Sequence, residues 1–198
     1  MLYKKRKMFD KLSRKLGFLL SKLQLSANQW TISSLLLMIV TFYFLISRNF
    51  LISTILLAFT AAIDMIDGAV ARATKKATIF GAYLDTIIDR IIEFVAILGL
   101  IIIGYPDFIL PINIWLTLLL FSCLMITYSK AAAFEKGLTR KELKGGILEH
   151  PDRMLFFILI VLISNYSLIH ASFLIAVMTI LTITTAIQRF LIAIRGKV

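Results

Sequence analysis

Apolar residues fill six blocks along the chain, each separated from the next by a short polar or basic stretch. The blocks fall near 28–47, 49–73, 80–104, 108–134, 152–168 and 170–194, and each approaches the roughly 20 residues a helix needs to cross a bilayer. The pattern predicts an all-α, six-transmembrane-helix integral membrane protein, with residues 1–198 forming a single domain. Ahead of the first block, Met8, Leu12, Leu16, Leu19, Leu20 and Leu23 recur at three- and four-residue spacing among lysines and arginines. Residues 1–24 are therefore expected to form a basic amphipathic helix lying in the headgroup layer. The same pattern would also suit a helix that binds a partner.

Composition agrees with this reading: the chain is 60% hydrophobic, with a mean hydropathy of +0.91. The net charge of +11, from 22 basic and 11 acidic residues, would suggest nucleic acid in a soluble protein. Its distribution argues for topology instead. Eight of the basic residues lie in the first 22, and others in the turn at Arg72, Lys75 and Lys76, in the connection at 130–153 and at the C-terminal end. With six crossings, all but Arg48 fall on the side of the N-terminus. That positive-inside bias puts both termini in the cytoplasm, and no nucleic-acid partner is expected. Residues 1–22 lack an apolar core followed by a small-residue cleavage site, so no cleaved signal peptide is expected. The single cysteine, Cys123, lies in an apolar run and reads as a small core residue.

Four carboxylates interrupt the second and third blocks: Asp64 with Asp67, and Asp85 with Asp89. An ionised carboxylate in hydrocarbon is costly and marks a functional site by default. Helical spacing puts each pair on one face. The segments run in opposite directions, so the two faces can meet near the cytoplasmic surface. Arg72 and Arg90 are too few to neutralise four acids by ion pairing alone. Hard divalent cations, which take carboxylate oxygens, supply the missing charge. A cation channel or proton relay would also use intramembrane acids, but would spread them through the membrane depth, and a metal-ion transporter would need them accessible from both sides.

Read out, the stretch is D-x2-D-G-x2-A-R-x8-G-x3-D-x3-D, carried by Asp64, Asp67, Gly68, Ala71, Arg72, Gly81, Asp85 and Asp89. It resembles the signature of the CDP-alcohol phosphotransferases with every defined position filled. The resemblance implies transfer of a substituted phosphate from a CDP-linked lipid to a polar alcohol, with release of CMP. It implies that Asp64, Asp67, Asp85 and Asp89 hold two divalent metals, Mg²⁺ or Mn²⁺, and that Asp89 also serves as base on the acceptor hydroxyl. Gly68, Ala71, Arg72 and Gly81 would shape the CDP site, joined by Asn28 and Thr31, which resemble an asparagine–threonine pair of the family. Asn28 reads equally as a helix cap. A homodimer in a cell membrane is also implied.

The acceptor is less fully written. YSKAAAFEKG, LEHPDR and IQR resemble stretches of the inositol-phosphate branch, in which Lys130, Arg153 and Arg189, with Thr127, would clamp the acceptor's phosphate. Snorkelling basic anchors would produce the same three cations. Ala132 and the run Glu149-His150-Pro151-Asp152 depart from that branch. Glycerol 3-phosphate as acceptor, or CDP-inositol as donor, therefore stand as alternatives. His150 and His170 are far apart, and neither is read as a metal ligand beside an oxygen-rich site. Trp30 reads as an interfacial anchor and Trp115 as packing. The Gly145-Gly146 pair predicts a bend before the fifth segment.

Overall fold

The computed structural model describes residues 26–74, 78–139 and 145–195, without the side chains of 67–69 and 71–74. The expected amphipathic helix over 1–24 lies outside them. Six helices stand among the described residues: α1 Ala27–Ile46, α2 Phe50–Thr74, α3 Ile79–Ile103, α4 Ile112–Glu135, α5 His150–Ser164 and α6 Leu168–Ile194. Three of them, α1, α4 and α6, are long and apolar enough to cross a membrane. Large apolar side chains stay exposed on every helix, from Ile32 and Tyr43 on α1 to Phe173 and Phe190 on α6. Water would not tolerate so continuous an apolar exterior, and lipid would.

Local chemistry sets the helix starts. Ser26 opens α1, its hydroxyl accepting from the Gln29 N–H at 3.3 Å while the Gln29 side chain accepts from the Ser26 N–H at 2.7 Å. The cap is thus Ser26, and Asn28 stands inside the helix. Thr78 opens α3 by accepting from the Gly81 N–H at 2.9 Å. The fourth helix begins at Ile112 rather than near 108, because Phe108 and Leu110 pair as an isolated bridge and Pro111 caps the helix. The fifth begins two residues earlier than expected and ends four earlier, in a turn where the Ser167 N–H donates to the Ile163 carbonyl at 2.9 Å.

Helix α1 packs against both α2 and α3, α5 against α2, α3 and α6, and α4 against α3 and α6. Met38, Ile97, Leu116, Leu119, Ile160, Ile175 and Met178 are fully buried at the centre. Cys123 and Trp115 join them, as expected, and the Trp115 indole donates to the Phe108 carbonyl at 2.8 Å. Buried hydroxyls knit α4 to α6: Ser122 donates to Thr182 at 2.8 Å and Thr179 to the Trp115 carbonyl at 3.3 Å. Where association in lipid gains little from the hydrophobic effect, such bonds and close packing hold helices together.

One irregularity positions the site. Helix α5 has only 15 residues, about 22 Å, against about 37 Å for the 25-residue α2 and α3. Its first residue therefore begins inside the bundle, and the chain before it dips in to reach it. Gly145 and Gly146 make that bend with φ of +112° and +131°, conformations open to glycine. A Cβ on Gly146 would lie 2.6 Å from Thr185 Cγ2, so the backbone there rests directly on α6.

Candidate active site

Asp64 lies ten residues before the end of α2 and Asp89 ten residues after the start of α3. Both are therefore set about 15 Å inside the same end of the bundle. The recessed start of α5 meets them at that depth. One ligating atom from each of Asp64, Asp89 and His150 can be chosen so that all lie within 4.8 Å of one another. His150 Nε2 is 3.7 Å from Asp64 Oδ2 and 3.6 Å from Asp89 Oδ1. The expectation that the two acidic faces meet holds for this pair. His150, which the sequence does not read as a metal ligand, joins the two acids. Pro151 and the early start of α5 carry its ring into the cluster, which spacing in the sequence did not signal.

Asp85 is partly buried one turn before Asp89. Asp67, Gly68, Ala71 and Arg72 are helical in α2, with side chains outside the described set. Gly81 packs against Asn28: a Cβ there would sit 2.9 Å from Asn28 Oδ1. This close approach joins the start of α1 to the start of α3. Thr31 is buried and donates to the Ala27 carbonyl at 3.0 Å.

A buried ion network backs the cluster. Glu93, one turn beyond Asp89, is only 2% exposed. Its Oε1 accepts from Arg153 Nε at 2.8 Å and lies 2.8 Å from His150 Nδ1, while its Oε2 is 3.0 Å from Arg90 Nη1. Arg90 also reaches Asp89 Oδ2 at 3.3 Å. Arg153 is itself 1% exposed and gives a second bond, 3.2 Å, to the Leu148 carbonyl. The expected acceptor ligand is thus already engaged with Glu93, a residue the sequence reading passed over. The signal was available, since 85, 89 and 93 repeat at one helical turn.

The remaining expected acceptor residues line the same end. Arg189 donates to the Gly145 carbonyl at 3.1 Å and to the Ile126 carbonyl at 3.3 Å. Lys130 stands one turn beyond Ile126 on α4, with Thr127 between them, and both are partly buried. His170, as expected, is remote: it is exposed and bonds Ser167 at 2.7 Å at the opposite end.

The site fits a divalent cation. His150 Nε2 and Asp89 Oδ1 are both shielded from solvent with no hydrogen-bond partner. Buried polar atoms are ordinarily paired, and a clustered exception needs an explanation such as an ion. Carboxylate oxygens and an imidazole nitrogen are ordinary donors to such an ion.

Comparison with known proteins agrees with this chemistry. The family model of CDP-alcohol phosphatidyltransferase matches residues 24–193. An archaetidylinositol phosphate synthase of Pyrococcus horikoshii is 32% identical over 141 residues, covering 71% of each chain. That of Methanothermobacter thermautotrophicus is 34% identical over 148 residues, covering 73% of this chain and 71% of the relative. Among solved structures, the Mycobacterium tuberculosis phosphatidylinositol phosphate synthase with CDP-DAG bound superposes with a TM-score of 0.78 at 24% identity. The alignment covers 92% of this chain and 94% of that one, and it shows the fold to be shared. The same enzyme has been crystallised with manganese and citrate. The chain belongs to the CDP-alcohol phosphatidyltransferase family, transferases that carry a phosphate-linked group from a CDP-alcohol to an acceptor.

Proposed function

We infer that this chain makes an inositol phospholipid, transferring a phosphatidyl-type group from a CDP-lipid to inositol 1-phosphate with release of CMP. The observation that carries the reading is the meeting of Asp64 and Asp89 inside the bundle, backed by the buried cation of Arg153. The names of the relatives from Pyrococcus and Methanothermobacter support the acceptor.

Asp64, Asp67, Asp85 and Asp89 would hold two Mg²⁺ ions, with Mn²⁺ able to serve. Bound there, the ions would neutralise the acids and polarise the donor pyrophosphate toward loss of CMP. Asp89 takes the proton from the acceptor hydroxyl. Gly68, Ala71, Arg72, Gly81, Asn28 and Thr31 hold the CDP group. The missing Cβ at Gly81 lets the Asn28 side chain approach closely and brings the two residues together. Lys130, Arg189 and Thr127 bind the acceptor phosphate, while Arg153 is paired with Glu93. Positioning and charge do most of this reaction.

A cavity of about 310 Å³ between α2 and α5 runs from Ile158 and Met154 to Asp64. Its walls are apolar except at the Asp64 end, which suits a lipid chain leading to a charged headgroup. In this reading all six helices span a cell membrane. Both termini and the site face the cytoplasm, residues 1–24 lie on that surface, and the whole chain acts as one domain, paired with a second copy.

The test is to give the purified protein CDP-diacylglycerol and Mg²⁺ with inositol 1-phosphate, glycerol 3-phosphate or free inositol, and to identify the lipid formed by mass spectrometry. Product with inositol 1-phosphate alone supports the reading. Product with glycerol 3-phosphate alone replaces the acceptor, and turnover only with CDP-inositol replaces the donor.

A further inference from the structure

We propose that His150 is a nitrogen ligand of the divalent ion beside Asp64 and Asp89, and that the buried carboxylate of Glu93 positions it for that role. The inference rests on the metal-site reading above and adds to it a ligand of different chemistry.

His150 Nδ1 lies 2.8 Å from Glu93 Oε1. Glu93 is ion-paired on both sides, with Arg153 Nε at 2.8 Å and Arg90 Nη1 at 3.0 Å. An ionised carboxylate only accepts, so the short contact places the imidazole proton on Nδ1. Arg90 Nη2, 3.1 Å from the same nitrogen, is a donor whose acceptor is Asp89 Oδ2 at 3.3 Å. With the proton on Nδ1, the lone pair of the neutral form lies on Nε2.

That lone pair has nothing to bond among the described residues. Nε2 is shielded from solvent and without a hydrogen-bond partner. It faces Asp64 Oδ2 at 3.7 Å and Asp89 Oδ1 at 3.6 Å. These separations are too long for hydrogen bonds. They match ligand–ligand spacing, because two donors each about 2.1 Å from a common ion lie about 3–4 Å apart. A histidine that gives one nitrogen to a metal and the other N–H to a carboxylate is a recurrent arrangement, and the carboxylate fixes the tautomer.

The consequence is selectivity. Mg²⁺ favours oxygen donors, whereas imidazole favours the later first-row ions. His150 therefore moves the site toward Mn²⁺ relative to an all-carboxylate one. The rival role is an imidazolium that neutralises Asp64 and Asp89 and binds no metal.

Pulsed electron paramagnetic resonance on the full chain, loaded with Mn²⁺ and labelled with ¹⁵N-histidine, separates these roles. The expected spectrum shows a nitrogen coupling to Mn²⁺ that changes with the label and disappears in His150→Gln. Mn²⁺ affinity is expected to fall about 10–100-fold in Glu93→Gln, and in His150→Gln to fall more for Mn²⁺ than for Mg²⁺. Bound Mn²⁺ without histidine coupling in the unsubstituted protein overturns the inference and leaves the carboxylate metal site standing, with no variant needing to fold. Absence of any bound Mn²⁺ removes the metal-site reading and this inference with it.

Discussion

Where α1 turns into α2 and α3 into α4, buried polar groups close on protein partners. About 15 Å inside the other end, some buried atoms are left without a hydrogen-bond partner. At the first end Tyr105 bonds Ser164 at 2.8 Å, and burial pushes its phenol up to about 12. Arg48 donates to the Ile103 carbonyl at 2.8 Å, Ser172 to the Pro106 carbonyl at 2.7 Å, and the Ile112 N–H to Asp107 at 2.9 Å. Among the described residues, no buried side-chain atom without a hydrogen bond lies at that end. At the other end, Asp89 Oδ1 and His150 Nε2 are buried without partners, although arginines stand within reach of the same residues. Folding stability alone would have closed that gap. An end left open at a cost of order 1–3 kcal/mol per unsatisfied group is an end kept for a ligand.

Substitutions at the two ends should separate function from stability. The largest effect is expected at the open end. Asp89→Asn should lower turnover by roughly 10²–10⁴-fold, while a binding assay with CDP-lipid shows the donor still held. Retention of wild-type turnover would remove the base from the mechanism. Arg153→Ala removes one of the two arginines paired with the buried Glu93, leaving Arg90, and should cost up to about 3–5 kcal/mol in denaturation of the detergent-solubilised protein. Adding Glu93→Gln should restore part of that loss. If the double variant is no more stable than the single one, the pair is not coupled as drawn. Gly146→Ala forces a side chain into a positive φ and against Thr185, at about 1–3 kcal/mol in the same assay. The smallest effect belongs to the closed end: Tyr105→Phe should cost about 1 kcal/mol and leave kcat unchanged. A change in kcat there would mean that the two ends are coupled.

The helices were legible because apolar block length is a strong and redundant signal, and observed boundaries fall within four residues of those expected. The misses at Ile112 and Ser164 came from turns closed by specific bonds, which hydropathy does not register. The meeting of Asp64 and Asp89 was legible for the opposite reason: each is a rare event in an apolar run. What the sequence concealed was long-range. His150 and Glu93 are 57 residues apart and Arg153 and Glu93 are 60 apart, so no local period joins them. Arg153 was readable as a phosphate-clamping or snorkelling cation but not as Glu93's partner. The short α5, which lowers His150 to the depth of Asp64, is a property of the assembled bundle.

The central claim is that the open end is a metal-dependent transfer site. The most direct measurement is CMP release by the purified protein from CDP-diacylglycerol and inositol 1-phosphate, taken before and after chelation and after adding back Mg²⁺ or Mn²⁺. The account predicts release that requires both acceptor and ion, stops on chelation, returns with metal, and is lost in Asp89→Asn. Metal flux across proteoliposomes containing the protein, with no CMP formed under any of these conditions, would contradict it and make the acid cluster a transport path.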